Sequence, residues 1–301
     1  MDGAVVLDKP KGITSHTAVQ RARRLLSEPR IGHLGTLDPF ATGVLVLLVG
    51  STTRLARFYR DREKSYEGTI RFGYSTDSFD CTGTPTSPRL EPRLDVDELR
   101  RLFEEFVGTI DQQPPSFSAK KVGGVRAYRL ARKGEEPPLS PVRVRIQELE
   151  LLSVEGPLAA FRARVSSGTY IRSLAHDLGK RMGAGAHLAE LRRTAVGEFG
   201  VADAADLAQL EDRVRQGEGR NFLIPPENLL PEFPAITLSP LAARRVLHGN
   251  SLEIQSASPW VRLLADSGKL LSIAERAGEG VFHPAVVFNR NAESEPAGSL
   301  R

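Results

Sequence analysis

Gly32-His33-Leu34-Gly35-Thr36-Leu37-Asp38-Pro39-Phe40-Ala41-Thr42-Gly43-Val44-Leu45 is the stretch on which the reading of this chain turns. Gly32, Gly35 and Gly43 let the backbone approach a ligand closely, and Asp38, standing before Pro39, is biased towards extended geometry. Taken alone, Asp38 reads as a turn carboxylate that accepts hydrogen bonds from nearby amides. The apolar run that follows, Val44 to Val49, is far too short to span a bilayer.

Upstream, Gly3 to Leu7 reads as a short strand ended by the turn Asp8-Lys9-Pro10-Lys11-Gly12. Thr14 or Ser15 can cap a helix whose apolar positions Val19, Ala22, Leu25 and Leu26 fall on one face. Downstream, residues 64–73 alternate, with Tyr66, Gly68, Ile70 and Phe72 on one side and Ser65, Glu67, Thr69 and Arg71 on the other, as in a half-buried strand. Asp95 and Glu98 form a capping pair for a helix carrying Leu99, Leu102, Phe103, Phe106 and Val107. Residues 111–141, rich in Pro, Gly and basic side chains, read as an inserted lobe. Strands are expected at Val142–Ile146 and Phe161–Val165, and helices at about 170–182 and 203–216. Prolines 225, 226, 231 and 234 mark a linker. Beyond it come a short helix, Pro240 to Leu247, and strand-like runs at Trp260–Ala265, Leu270–Ala274 and Val286–Phe288. The pattern is that of an α/β chain with a large first domain and a small, mostly β second one.

A length of 301 residues fits two domains, and 40% hydrophobic with 26% charged residues suits a globular chain with a sizeable core. The one cysteine, Cys81, excludes an intrachain disulfide and any multi-cysteine metal site, and a buried inert thiol is the default reading for it. No basic n-region precedes an apolar segment, so the expected location is cytoplasmic. The net charge is only +4, but residues 111–145 hold eight basic residues against three acidic ones. A concentrated basic stretch is the electrostatic footprint of a nucleic-acid binder, although charge runs are more often plain solvated surface. No nucleotide-binding glycine loop is present: Gly179-Lys180 is followed by Arg181, and Gly268-Lys269 by Leu270. Neither a dinucleotide fingerprint nor a metalloprotease motif nor a serine elbow occurs, so the expectation is chemistry from ordinary side chains, without metal or cofactor.

The opening stretch resembles the catalytic-aspartate motif of the TruB pseudouridine synthases. Leu7-Asp8-Lys9-Pro10-Lys11-Gly12-Ile13-Thr14-Ser15 resembles their N-terminal motif. Ser167-Gly168-Thr169-Tyr170-Ile171-Arg172-Ser173-Leu174 and Gly185-Ala186-His187-Leu188-Ala189-Glu190-Leu191-Arg192-Arg193 resemble their later motifs. The order and spacing fit the bacterial tRNA pseudouridine-55 branch over essentially the whole chain. The resemblance implies an α/β (α+β) catalytic domain over residues 1–230, built on a mixed, mostly antiparallel sheet flanked by helices. It also implies a basic thumb-like insert at about 111–141, a small β-rich PUA-like domain at 235–290, and a disordered tail at 291–301.

It implies, further, isomerisation of a uridine in the tRNA T-loop, with the target base flipped out and Asp38 as the essential carboxylate. Sequence leaves open whether that carboxylate attacks the ribose C1′, adds to C6 of the base, or helps remove the C2′ proton. By match, Arg172 is the cation that pairs with it, and Tyr66 stacks on the uracil or takes part in proton transfer; a core tyrosine fits the strand alternation equally well. His33 fills the space vacated by the base, Asp80 lies near the flipped nucleotide, and Leu191 is an apolar pocket wall whose plain alternative is a core leucine on a helix. Tyr170 joins the substrate-binding set, and so does Lys9, with support of the N-terminal motif as its expected part. Lys120, Lys121, Arg126, Arg129 and Arg132 would hold the RNA backbone of the T-arm and elbow. The expected protein is a monomer that needs no cofactor, guide RNA, partner protein or membrane. The alternative in another class is a non-catalytic RNA-binding or tRNA-folding chaperone using the same surface. A guide-dependent synthase is disfavoured by the insert, and a glycoside hydrolase by the lack of a second acid.

Overall fold

The computed structural model describes residues 1–118, 120–131, 133–135 and 137–288. Strand β1 (Gly3–Lys9) leads through α1 (Ser15–Leu26) and β2 (Ile31–His33) to β3 (Thr42–Val49), then β4 (Lys64–Phe72) and α2 (Val96–Glu105). The insert region holds β5 (Gly108–Gln112), the hairpin β6 (Lys121–Val122) and β7 (Val125–Arg126), and α3 (Ala127–Ala131). A long hairpin, β8 (Val142–Glu155) and β9 (Leu158–Val165), is followed by α4 (Ile171–Met182), β10 (Ala186–Val196), β11 (Phe199–Gly200) and α5 (Leu207–Arg215). The last unit comprises β12 (Ala235–Thr237), α6 (Pro240–Leu247), β13 (Leu252–Glu253), β14 (Trp260–Leu264), β15 (Leu270–Gly278) and β16 (Val281–Val287).

Nine strands form the main sheet, in the order β1-β3-β10-β4-β9-β8-β5, with β2 added to β3 and β11 to β10. Its pairings are antiparallel except where β10 runs parallel to β3. This is the mixed, mostly antiparallel sheet that the sequence led us to expect. A separate five-stranded sheet, β12-β14-β15-β16-β13, makes the C-terminal unit.

Local chemistry accounts for the helix ends. The Thr14 hydroxyl accepts the Thr17 amide to start α1, and the Asp95 carboxylate accepts the Asp97 and Glu98 amides to start α2. On α2, Leu99, Leu102 and Phe103 are buried, as their spacing requires. The apolar run in β3 reflects burial on both faces of one strand. Leu45, Leu47 and Val49 enter the core under α1 and α4, while Val44, Val46 and Leu48 enter a second core on the other face. Strand β1 divides in the same way, with Val5 and Leu7 on the first side and Ala4 and Val6 on the second. The second core also contains Leu270, Ile273, Val286 and Phe288, so the C-terminal sheet covers that face.

The proline-marked stretch before β12 is packed rather than free. Leu229 and Leu230 are fully buried in the second core, and the Leu230 amide donates to the Tyr59 hydroxyl at 3.2 Å.

Gly43 lies where β3 meets β10, with φ +101, and a Cβ there would come within 2.2 Å of the Arg193 carbonyl oxygen. Left-handed backbone and a clash with unyielding main chain both oppose any side chain. Gly43→Ala is expected to cost about 3 kcal/mol. Thermal denaturation would read this as a Tm drop of roughly 5–10 °C.

Candidate active site

The loop from Leu34 to Ala41 joins β2 to β3, and three anchors fix it around Asp38. Ser15, buried at the first turn of α1, donates its hydroxyl to the Leu37 carbonyl at 3.0 Å and accepts the Leu37 amide at 2.8 Å. The Gly12 amide donates to the Pro39 carbonyl at 2.7 Å, and the Ala41 amide to that of Asp38 at 3.1 Å. Beneath, the fully buried Lys9 donates from Nζ to the carbonyls of Pro10 and Ile13, both at 2.9 Å. The N-terminal turn and the aspartate loop are thereby one braced unit. Burial takes the Lys9 ammonium down to about 8, against the attraction of Asp38 and with the repulsion of Arg193.

Arg172, in the first turn of α4, meets Asp38 from the far side. Its Nε lies 2.9 Å from Asp38 Oδ2 and its Nη2 3.4 Å from Oδ1, a fork-to-carboxylate pair. The guanidinium is only 6% exposed and is fixed all round. Nη1 donates to the Ser78 carbonyl at 2.9 Å and Nη2 to the Phe117 carbonyl at 2.8 Å, and Asp80 Oδ2 lies 3.5 Å from Nη1. Asp80 in turn accepts on Oδ1 from the Ser78 and Thr82 hydroxyls and the Thr82 amide, at 2.9, 2.6 and 2.9 Å. Phe79, between Ser78 and Asp80, takes φ +64, and its ring stacks on His176 at 3.9 Å between centroids. That backbone turn presents both the Ser78 carbonyl and the Asp80 carboxylate to Arg172.

A pocket of about 270 Å³ opens over this pair, lined by Asp38, Tyr66, Tyr170, Arg172 and Leu191 together with Lys64, Ser167 and Arg193. Its size suits one nucleoside rather than a stack. The Asp38 side chain keeps 34% of its surface, exposed where it lines the pocket, while Arg172 behind it is sealed. Burial pushes the Asp38 carboxyl above its ordinary value; Arg172 pulls it down and Asp80 pushes it up again. A desolvated, oriented carboxylate beside a permanent cation is suited to nucleophilic or proton-transfer work. Burial likewise pushes the Tyr170 phenol up.

Of the residues singled out from the sequence, Asp38, Tyr66, Arg172, Tyr170 and Leu191 are brought together in this pocket. Tyr66 is 6% exposed, so its ring is core and pocket wall at once. Leu191 lies on strand β10 and not on a helix, because β10 must run between β3 and β4 to close the sheet. Asp80, expected near the flipped nucleotide, is instead buried behind the pocket at 4% exposure, holding Arg172. Lys9, placed in the substrate-binding set with support as its expected part, is wholly buried away from the pocket wall and holds the N-terminal turn. His33 ends β2 outside the pocket wall, half-buried, and burial presses its imidazole down. Cys81 is exposed, contrary to the buried thiol expected.

In the insert, Lys120 donates to the Ser140 carbonyl at 3.1 Å, Arg129 is exposed, and Lys121 pairs with Arg126 as backbone partners in the hairpin. Arg132 and the tail 291–301 lie outside the described residues. The insert is rooted at the site. Gln112 exchanges two hydrogen bonds with the Tyr170 main chain, at 2.8 and 3.0 Å, and the Ser173 hydroxyl donates to the Gln113 carbonyl at 2.7 Å.

Sequence reasoning missed Ser15 as a loop clamp, the Ser78 and Phe117 carbonyls, and Arg193. Arg193 is fully buried, with Nε on the Val44 carbonyl at 2.8 Å and Nη2 on the Gly35 carbonyl at 3.0 Å. No sequence signal announced it, because its partners are main-chain carbonyls of a distant segment. No cluster of metal-ligating residues occurs among the described residues, and no helix there is long and apolar enough to cross a membrane.

Two family models match the chain. Residues 23–171 match the TruB family pseudouridylate synthase N-terminal domain, and residues 172–231 the tRNA pseudouridylate synthase B C-terminal domain. Among curated relatives, the tRNA pseudouridine synthase B of Solibacter usitatus is 46% identical over 96% of this chain and 100% of its own length. That of Aquifex aeolicus is 40% identical over 94% and 98%. Among solved structures, a chain of an H/ACA RNP bound to a substrate RNA containing 2′-deoxyuridine superposes with a TM-score of 0.73. It is 24% identical and covers 96% of this chain and 86% of its own, a likeness of fold.

Proposed function

Because the chain belongs to the TruB family of pseudouridylate synthases, we propose that it isomerises one uridine of the tRNA T-loop, position 55, with Asp38 as the essential carboxylate. The enzyme is a pseudouridine synthase, and pseudouridylation of tRNA is the activity its named relatives support. The observation that carries the finer reading is the Asp38–Arg172 pair at 2.9 Å, open on one side to a nucleoside-sized pocket.

A uridine stacked in a folded loop is out of reach of Asp38, so the base is extruded into the pocket at a cost of about a few kcal/mol. Tyr66 and Leu191 supply a flat and an apolar wall against which it rests. Arg172 keeps the carboxylate charged and aimed without competing for the open face. C1′ attack, C6 addition and C2′ proton removal all start from that ionised, oriented group. Lys9 and Asp80 act through others: one braces the loop, the other the guanidinium. His33 would stack in the space left by the base, and Lys120 and Arg129 would meet phosphates of the T-arm. The enzyme works as a monomer without guide RNA or partner protein.

Tritium release tests this directly, since the C5 hydrogen leaves when C5 becomes the glycosidic atom. An unmodified tRNA transcript labelled at C5 of its uridines, without metal or guide RNA, is expected to release one equivalent. A transcript with cytidine at position 55 should release none. Release unaffected by that change would sink the positional reading; no release from either would sink the stand-alone enzyme.

A further inference from the structure

The pocket over Asp38 carries a second polar group of residues that the isomerisation chemistry leaves unused. Lys64 Nζ donates to the Arg62 carbonyl at 3.1 Å and to the Ser167 hydroxyl at 3.2 Å. Arg193 is wholly buried; two of its nitrogens are on carbonyls, and Nη1 has no hydrogen-bond partner. Gly35 separates the two: a Cβ there would lie 3.2 Å from Lys64 Cε and 3.4 Å from Arg193 Nη1.

The charge balance of the two parts of this pocket differs. Arg172 has two carboxylates, Asp38 and Asp80, within 4 Å. For Lys64 and Arg193 the hydrogen-bond partners are carbonyls and a hydroxyl, which accept protons but neutralise no charge. Withdrawing two cations from water side by side is costly unless an anion joins them. Burial and then the positive charge of Arg193 press the Lys64 ammonium down to about 8, against the weaker attraction of Asp61.

We infer that Lys64 and Ser167, with Arg193 as a fixed charge behind them, seat one backbone phosphodiester adjoining the target uridine. This rests on the reading of the pocket as a uridine site. A nucleoside within an RNA strand brings a phosphate on each side, and a pocket for one nucleoside leaves no room for both to stay in bulk water. Lys64 is the contact group, since it is half-buried and lines the pocket. Arg193 Nη1 is closed to solvent and has no hydrogen-bond partner, so its part is that of a fixed charge in the pocket wall. Glycine at position 35 keeps the space between the cations open. A phosphate held here fixes the ribose relative to Asp38, so that binding energy from a non-reacting group is used to orient the reacting carbon.

The test uses the full chain and an unmodified T-arm hairpin, together with two hairpins in which the phosphate 5′ or 3′ of the target uridine is a neutral methylphosphonate. For the wild type, one of the two replacements is expected to lower kcat/KM by about tenfold, the scale of one charge-assisted hydrogen bond. Lys64→Gln should lower kcat/KM on natural RNA by about the same factor and then change less than about twofold on that methylphosphonate hairpin, because the two changes remove one contact. Lys64→Arg should restore most of the loss. The slope of log affinity against log salt should be shallower by about 0.7 for Lys64→Gln, as for one phosphate lost from a single strand. A merely structural lysine would give additive losses and an unchanged slope, which would overturn the proposal. The wild type alone also decides it. Turnover of the natural hairpin with indifference to both methylphosphonates overturns the seat; no pseudouridine from the natural hairpin overturns the uridine-site reading as well.

Discussion

Asp38→Asn is expected to abolish isomerisation, with a loss of at least about 10⁴-fold in kcat, while tRNA binding stays within a few-fold of the wild type. The amide keeps the shape of the carboxylate and one oxygen to accept the Arg172 Nε hydrogen, so the pocket stays assembled. What it loses is negative charge, the one property that every candidate first step needs. The substitution also carries a stability signature of definite sign. The carboxyl titrates above its ordinary value in the folded protein, because burial opposes its ionised form. The folded chain therefore holds that proton more tightly than the unfolded chain, and folding loses stability as pH rises from about 3.8 through the folded value. Asparagine removes this penalty. The variant should then match or exceed the wild-type Tm at pH 7, and the difference should close at acid pH where Asp38 is protonated in both states. A variant that retains turnover, assayed by tritium release, removes Asp38 from the centre of the chemistry.

The second large effect belongs to Arg172. Arg172→Met leaves Asp38 and the buried Asp80 without their shared cation, and removal of one member of a buried ion network costs about 3–5 kcal/mol. Activity should fall by about 10²–10⁴-fold even at temperatures where the variant is folded, since the carboxylate loses both orientation and charge support. The pH profile separates the two contributions. With the cation gone, nothing nearby offsets burial except the more distant Lys9, so the acid limb of kcat/KM moves to higher pH. Arg172→Lys keeps the charge and should hold the limb near its wild-type position. It still loses much of kcat, because one ammonium cannot reach Asp38, Ser78 and Phe117 in the geometry of a planar fork. An unmoved limb in Arg172→Met, read from pH–rate profiles, would show that Arg172 is only a structural strut.

Where hydrophobic periodicity and local capping decide the outcome, the sequence was legible. The alternation at 64–73 became β4, Asp95 capped α2, and Pro240–Leu247 became α6 with the Ser239 hydroxyl accepting at its start. Strand β10 was not legible. Its Leu191-Arg192-Arg193 segment places two arginines on a central strand, against every local preference, and only tertiary partners explain them: Asp8 for Arg192, and the Val44 and Gly35 carbonyls for Arg193. The same limit applies to the site. Motifs named Asp38, Tyr66 and Arg172, but a motif cannot say whether Asp80 faces the ligand or stands behind an arginine. That depends on the left-handed turn at Phe79, a conformation phenylalanine rarely adopts and no sequence pattern announces. Nor does a cap signal distinguish Thr14, which caps, from Ser15, which turns inward to clamp the aspartate loop.

The two-sided burial of β3 bears on how far this protein is modular. A separate five-stranded C-terminal sheet invites treatment as an accessory to be trimmed or exchanged. Here its β15 and β16 supply Leu270, Ile273 and Val286 to the core that covers Val44, Val46 and Leu48 on β3, the strand into which the Asp38 loop leads. Trimming it would leave a contiguous apolar face in water, the kind of surface that drives self-association rather than independent folding. The catalytic sheet and the C-terminal sheet are accordingly bound to melt together, and a transplanted module would have to bring its own apolar face to keep the aspartate loop in place.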